Sequence, residues 1–368
     1  MEAYLDNAAT TKPDEKAVKK ALDAIKKYGN PSSLHYKGIE AAELLEKSRF
    51  LIANSLNAKP NEIIFTSSGT ESDNLAISGL VPKNPKKHII TTAFEHHAVL
   101  DSCKWLEKNG YKVTYIKPNA NGFINSEEIR KAITKDTVLV SVMHVNNEIG
   151  TIQPIEKIYE ICEPKNIVFH TDAVQSYKKT KLNSSMADLI SISSHKIHGL
   201  KGAGALYVKE GIELSPLLHG GMQENGIRPG TENIPAIAAF AEASSLDMPL
   251  KQIQKLRDML AKKLIQIKGT KINGSMENRM CSNLNVMFYG VEAENLMMHL
   301  SSMGIAVSMG SACIAKSISP SHVLKSIGLT DKEANSSIRI SLSKYTTAKE
   351  INYAAHKIRL VVESLRKA

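Results

Sequence analysis

Five short apolar runs in this 368-residue chain lead directly into side chains able to do chemistry. Phe65 precedes Thr66-Ser67-Ser68-Gly69-Thr70, and Thr92 precedes Glu95-His96-His97. Val142 leads into His144-Val145-Asn146-Asn147, Phe169 into His170-Thr171-Asp172, and Ile192 into Ser193-Ser194-His195-Lys196. In an open α/β sheet the carboxyl ends of the strands share one edge, and ligands bind along it. Five polar clusters at five strand ends therefore predict one pocket. The turn Thr66–Thr70 can offer backbone N–H groups and hydroxyls to a phosphate, and a plain capped turn has the same composition. No GxxxxGK[ST] loop is present, which disfavours nucleoside triphosphates. Lys196 can form a Schiff base if burial or nearby cations lower its pKa; the alternative is a strand-end surface lysine. Asp172 either caps a helix or keeps a pyridinium nitrogen protonated. His96, His97, His144, His170, His195 and His198 form no HExxH or comparable ligand spacing, so no metal is expected.

The elements that must position these groups alternate short apolar runs with helical patterns, as a mostly parallel sheet covered by helices requires. Seven strands are expected at Glu62–Phe65, His88–Thr91, Lys112–Ile116, Thr137–Met143, Ile167–Phe169, Leu189–Ile192 and Ala205–Val208. A helix over 15–27 places Val18, Leu22 and Ile25 on one face. Another follows Thr70, with Glu71 and Asp73 suited to its amino end. An alanine-rich helix from Ile234 ends near Pro249, and Ile253, Leu256, Leu260 and Leu264 mark the next. The last helix opens with the capping box Thr347–Glu350 and carries Ile351, Ala355, Ile358, Val362 and Leu365 on one stripe. The expected organisation is a large α/β domain over 13–245 and a smaller α+β domain over 246–368. The sequence leaves open whether residues 1–12 pack with the latter.

Composition narrows the function classes. At 42% apolar content the chain can bury a substantial core. The formal charge of +10 comes from scattered lysines, without a dense Lys/Arg tract or interleaved aromatics. A solvated basic surface is expected, with no direct nucleic-acid binding. Cys103, Cys162, Cys281 and Cys313 are far apart and form no CxxC pair, arguing against zinc and a disulfide framework. No sorting signal follows Met1 and no apolar stretch is long enough to span a bilayer, so a cytoplasmic protein is expected, with no membrane partner.

The ordered motifs Tyr4-Leu-Asp-Asn-Ala-Ala-Thr-Thr11, Gly29-Asn-Pro-Ser-Ser33, Glu95-His96, Met143–Gly150, His170–Gln175, Ser194-His-Lys196, Arg228-Pro-Gly-Thr231, Gly310-Ser-Ala-Cys313 and Ser337–Ser341 closely resemble the cysteine desulfurases, the NifS/IscS-like branch of aminotransferase class V. The resemblance runs almost the whole length. It implies the pyridoxal 5'-phosphate (PLP) fold type I and that cofactor. By it, Lys196 would carry the cofactor and shuttle the Cα proton, and His96 would stack on its ring and act in acid–base steps. Asp172 would pair with the ring nitrogen and Gln175 with the phenolic oxygen. Gly69, Thr70, Ser193 and His195 would bind the phosphate, joined by Thr231 from the second subunit of a homodimer. Asn147 and Arg339 would hold the carboxylate of L-cysteine. Cys313 would accept the sulfur as a persulfide and leave alanine, for delivery to an iron–sulfur scaffold or a tRNA-thiolation enzyme. Residues 310–321 have the small, polar composition of a loop, and the long spacing from Cys313 to His322 matches the IscS-like group. Two readings compete: a selenocysteine lyase or other class V enzyme, and a retired scaffold or sulfur-relay protein. Transamination needs no thiol, and the joint presence of Lys196, Asp172, His96 and Cys313 counts against a scaffold.

Overall fold

A computed structural model describes residues 1–310 and 320–367; Cys313 lies outside the described residues. The strands are β1 (Ala3–Tyr4), β2 (Ile63–Thr66), β3 (His88–Thr92), β4 (Lys112–Ile116), β5 (Thr137–Ser141), β6 (Val168–Asp172), β7 (Leu189–Ser193), β8 (Gly204–Val208), β9 (Thr270–Ile272), β10 (Asn283–Phe288), β11 (Ile305–Ala306) and β12 (Ser337–Ser341). The helices are α1 (Glu15–Ile25), α2 (Tyr36–Ser55), α3 (Gly69–Leu80), α4 (His97–Lys108), α5 (Ser126–Ala132), α6 (Ile155–Cys162), α7 (Ile234–Ser245), α8 (Leu250–Leu264), α9 (Ala293–Ser302), α10 (His322–Ser326), α11 (Asp331–Asn335) and α12 (Ala348–Leu365).

The seven expected apolar runs form one sheet, in the order β2-β8-β7-β6-β5-β3-β4. Only β8 runs against the others. Side chains alternate between two cores, as strand geometry dictates. Ile63, Phe65, Ile190 and Ile192 pack with α2, α6 and α7 on one face, while Ile64, Leu189, Leu206 and Val208 pack with α3 and α4 on the other. Burial on both faces explains why these strands read as continuous apolar runs rather than alternating ones.

Downstream of Pro249 the chain builds an antiparallel sheet, β12-β10-β9, with α8, α9 and α12. The expected stripe of α12 is buried at Ile351, Ala355, Ile358 and Val362, and Leu365 packs against the same core. The Thr347/Glu350 capping box forms. The first residues of the chain meet this part: β1 pairs in parallel with β11, and Ala3 and Leu5 enter its core, while Thr11 bonds to the His195 carbonyl after β7. Val323, Leu324, Ile327 and Ala334 instead enter the core of the seven-stranded sheet.

The expected apolar face of the first helix is corrected. It buries Ala17, Ala21 and Ala24 and leaves Leu22 and Ile25 more than half exposed, with Val18 also at the surface. Its partner α7 is itself alanine-rich. Two small-residue faces approach closely, so the larger aliphatics of α1 turn outward. Among the described residues no helix is long and apolar enough to cross a membrane.

One buried ion pair ties the sheet edge to the loop that leads to α7. Arg49 on α2 donates from Nη1 and Nη2 to the two oxygens of Glu224, at 2.7 and 2.8 Å, and also to the Ile63 carbonyl. Glu224 in turn accepts from the Phe65 N–H at 2.8 Å. Glu224→Ala leaves Arg49 with only the solvent-exposed Glu46 as a carboxylate partner and the Phe65 N–H with none, and is expected to lower unfolding free energy by about 3 kcal/mol, read from the shift in a urea unfolding curve.

Candidate functional site

A cleft of about 200 Å³ opens where the parallel strands end. It gathers residues from all five polar clusters: Gly69 and Thr70 after β2, His96 after β3, Asn147 after β5, Asp172 and Gln175 at β6, and Ser193, His195 and Lys196 at β7. Arg339 of β12 closes it from the second sheet. Thr231 lies outside the cleft of its own chain, on an exposed segment before α7.

The phosphate-like end forms because β2 turns directly into α3. Ser68 caps that helix by accepting from the Glu71 N–H, and the amides of the first turn have no intrahelical partner. A Cβ on Gly69 would lie 2.5 Å from Val174 Cγ2, so a larger residue would press on the loop after β6. Ser193 Oγ is buried without a hydrogen-bond partner and faces the same helix start. His195 Nδ1 meets Thr10 Oγ1 at 3.1 Å. Unfilled donors at a helix amino terminus suit an anion.

Lys196 is the electrostatic centre. Its Nζ donates to the carbonyls of Ala8 and Ala9, each at 2.7 Å. Burial, then the Arg339 and Lys179 cations, pull its pKa down to about 7 despite the opposing carboxylates Asp172 and Asp6. A surface lysine would show none of this. Asp172 is held by the Val174 N–H at 2.9 Å. Burial raises its pKa to about 6, with the Val174 bond and Lys196 pulling the other way. His96 caps α4: its Nδ1 accepts from the Ala98 N–H at 3.1 Å, which leaves the proton on Nε2 in the neutral ring. Burial, reinforced by Lys196, pushes its pKa down to about 4, so the ring is uncharged near neutrality. Gln175 Nε2 donates to the Ala8 carbonyl at 3.0 Å.

Arg339 is 1% exposed. Nη2 donates to Asp6 Oδ1 at 2.9 Å and Nη1 to the Asn147 carbonyl at 3.2 Å, while Nε is buried with no partner. Asn147 Oδ1 is unpartnered too. A guanidinium with spare donors on a cleft wall suits a carboxylate.

Several participants escape a motif reading. The carbonyls of Ala8 and Ala9 have no side-chain signature, and Asp6 contributes through a segment far away in sequence. Asp73, expected as a helix-start acid, is buried in the cleft, its Oδ1 3.6 Å from His170 Nε2. Burial and neighbouring Asp172 hold its pKa well up. Glu95 is buried beneath, accepting from Thr92 Oγ1 at 2.6 Å and the Met143 N–H at 2.9 Å; burial raises its pKa to about 8. Cys103, Cys162 and Cys281 are buried free thiols, with burial raising the pKa of each. His322 begins α10, and its Nε2 donates to the Glu95 carbonyl. Among the described residues no group of three or more His, Cys, Asp or Glu side chains could hold a metal ion.

This chemistry fits PLP: a glycine cradle and orphan hydroxyl for a phosphate, a buried lysine of lowered pKa, and a buried carboxylate beside it. The class-V aminotransferase profile matches residues 3–353. The chain is 44% identical to the cysteine desulfurase IscS of Dictyoglomus turgidum, covering 99% of this chain and 95% of the relative. It is 47% identical to that of Shewanella piezotolerans, over 99% and 93%. Among solved structures, a NifS-like protein superposes with a TM-score of 0.93 at 38% identity, covering 99% of this chain and all of the other. SspA in complex with cysteine gives 0.85 at 38% identity, over 94% of this chain and 100% of SspA. The chain belongs to the class-V aminotransferase family and, within it, to the PLP-dependent cysteine desulfurases.

Proposed function

We propose that this protein takes sulfur from L-cysteine, releases L-alanine and holds the sulfur on Cys313 as a persulfide. An acceptor protein of iron–sulfur cluster assembly or tRNA thiolation then receives it. The observation that carries the reading is the pairing, in one cleft, of a buried Lys196 of lowered pKa with an Arg339 that has an unfilled donor.

PLP, when bound, supplies an electron sink for the substrate's Cα. Lys196 Nζ binds it and then moves the Cα proton. Asp172 would hold a proton at the ring nitrogen, and His96, neutral with its proton on Nε2, would lie against the ring and be able to donate that proton. Gln175 orients the phenolic oxygen, while Gly69, Thr70, Ser193 and His195 bind the phosphate. Arg339 and Asn147 orient the substrate carboxylate. The Cys313 thiolate attacks the substrate sulfur; the C–S bond breaks, its electron pair stays with carbon, and protonation completes alanine.

The working unit is a homodimer in which Thr231 binds the partner subunit's phosphate. The outward Leu22 and Ile25 of α1, with Tyr28, Leu34 and Ile39, support this as an apolar face awaiting a second copy. Thr231 stands just before α7, the helix on which α1 and α2 pack. The domains divide near 245/246, supported by the separate core that most of the chain after Pro249 builds, although Val323–Ala334 return to the larger one; the protein acts in the cytoplasm.

The purified protein is expected to be yellow and to release sulfide and alanine from cysteine with a reductant. Lys196→Ala should be colourless, and Cys313→Ser should keep its colour but lose at least about 100-fold in sulfide release; yellow protein that makes other products would sink the desulfurase reading. A neutral Lys196 amine is needed to capture the cofactor. PLP uptake by apoprotein, followed by absorbance, should therefore rise with pH to a plateau just above the Lys196 pKa of about 7, rather than climb to the ordinary lysine range.

A further inference from the structure

Lys179 belongs to none of the roles above, yet its ammonium is one of the few cations the fold buries. It is 9% exposed, and among the described residues no carboxylate pairs with it and no hydrogen bond of its Nζ is formed. It lines a narrow cavity of about 20 Å³, room for about one water molecule. Three other lining residues carry buried acceptors that lack donors: Asn7 Oδ1, Asn283 Oδ1 and His198 Nε2. Their identity as acceptors follows from their other bonds. Asn7 Nδ2 donates to the carbonyls of Tyr4 and Ser341, Asn283 Nδ2 to that of Asn147, and His198 Nδ1 to that of Lys12. Lys179 thus shares a cavity with three residues whose buried acceptors lack donors. Leaving such groups unmatched is costly, and a bridging water removes the cost.

The cavity lies behind the cofactor cleft. Ala8 and Gln175 line both, and the Ala8 carbonyl accepts from Lys196 Nζ and Gln175 Nε2 at once. We propose that Lys179 is an electrostatic positioning residue: its buried ammonium, held through an internal water to Asn7, Asn283 and His198, acts across the Ala8–Gln175 wall to keep Lys196 and its cofactor linkage ready to lose a proton. The proposal rests on the reading of Lys196 as the cofactor-bearing lysine. The charges facing Lys196 are Arg339 and Lys179, which oppose its positive charge, and Asp172 and Asp6, which favour it. Those facing Lys179 are Lys196, His195, His198 and the Cys281 thiol. Lys179 is itself shifted down to about 8, chiefly by burial; near neutrality it is charged.

The test is a pH titration of the visible band of the holoenzyme. Lys179→Met is expected to raise the apparent pKa of that band by about 0.5–1 unit, and PLP uptake by its apoprotein should need a correspondingly higher pH. Lys179→Arg, which keeps the charge in another shape, should titrate like the parent. Should Lys179→Met be insoluble, Lys179→Gln replaces it with the same expected rise. An unmoved titration in the neutral variant, or equal shifts in the neutral and arginine variants, overturns the role of Lys179. Lys196→Ala separates the two readings: a variant that keeps the visible band overturns the assignment of Lys196 itself. A crystal structure of the holoenzyme is expected to show the water between Lys179 Nζ and the Asn7 and Asn283 oxygens, and a dry cavity overturns the bridge.

Discussion

Lys196 donates both to Ala8 and to Ala9, two consecutive carbonyls of the turn that follows β1. The rest of the site is arranged around that contact. Asn7 is tied to the Ser341 carbonyl and the Ala8 N–H to Ser341 Oγ, while Thr11 Oγ1 reaches the His195 carbonyl. The segment is therefore fastened to β12 on one side and to the turn after β7 on the other. Asp6 meets Arg339 from the same segment. The lysine, the arginine and the strand ends keep their spacing because one short stretch of backbone is bonded to all of them.

Charge follows from that enclosure. Lys196, Arg339 and Lys179 are three cations in a region with few anions able to answer them, and burial adds to their mutual repulsion. A lysine under that pressure gives up its proton near neutrality, which nucleophilic attack on a carbonyl carbon requires. Beneath the cleft the logic is inverted. Asp73 and Glu95 are buried carboxyls whose pKa values rise, so their charge is suppressed. Asp172 is the exception with both a backbone N–H and a nearby cation, which makes it the carboxyl best able to stay ionised.

Much of this was legible in the chain. Strands buried on both faces write themselves as continuous apolar runs, and seven were readable to within a few residues. Polar side chains directly after Phe65, Thr92, Val142, Phe169 and Ile192 implied one sheet edge, and the cleft lies there. Residue roles came from the family resemblance, since spacing alone left Lys196 as a possible surface lysine. What stayed hidden has a physical reason in each case. The carbonyls of Ala8 and Ala9 are backbone and carry no residue-type signal. Asp73 looked like any acid in a first helical turn, and only the closeness of α3 to β6 and β7 buries it. Val18, Leu22 and Ile25 satisfied a helical apolar stripe, but the alanines one position before each were the buried ones.

The parallel pairing of β1 with β11, with Asp6 bridging to Ser341, joins the first residues of the chain to strands near its last. During synthesis the amino-terminal segment leaves the ribosome long before β11 and β12 exist. The strand ends of the large sheet can assemble earlier, but the wall that encloses Lys196 cannot be fixed until more than three hundred residues have followed it. The wall that encloses Lys196 is thus completed only by strands made after every strand of the large sheet.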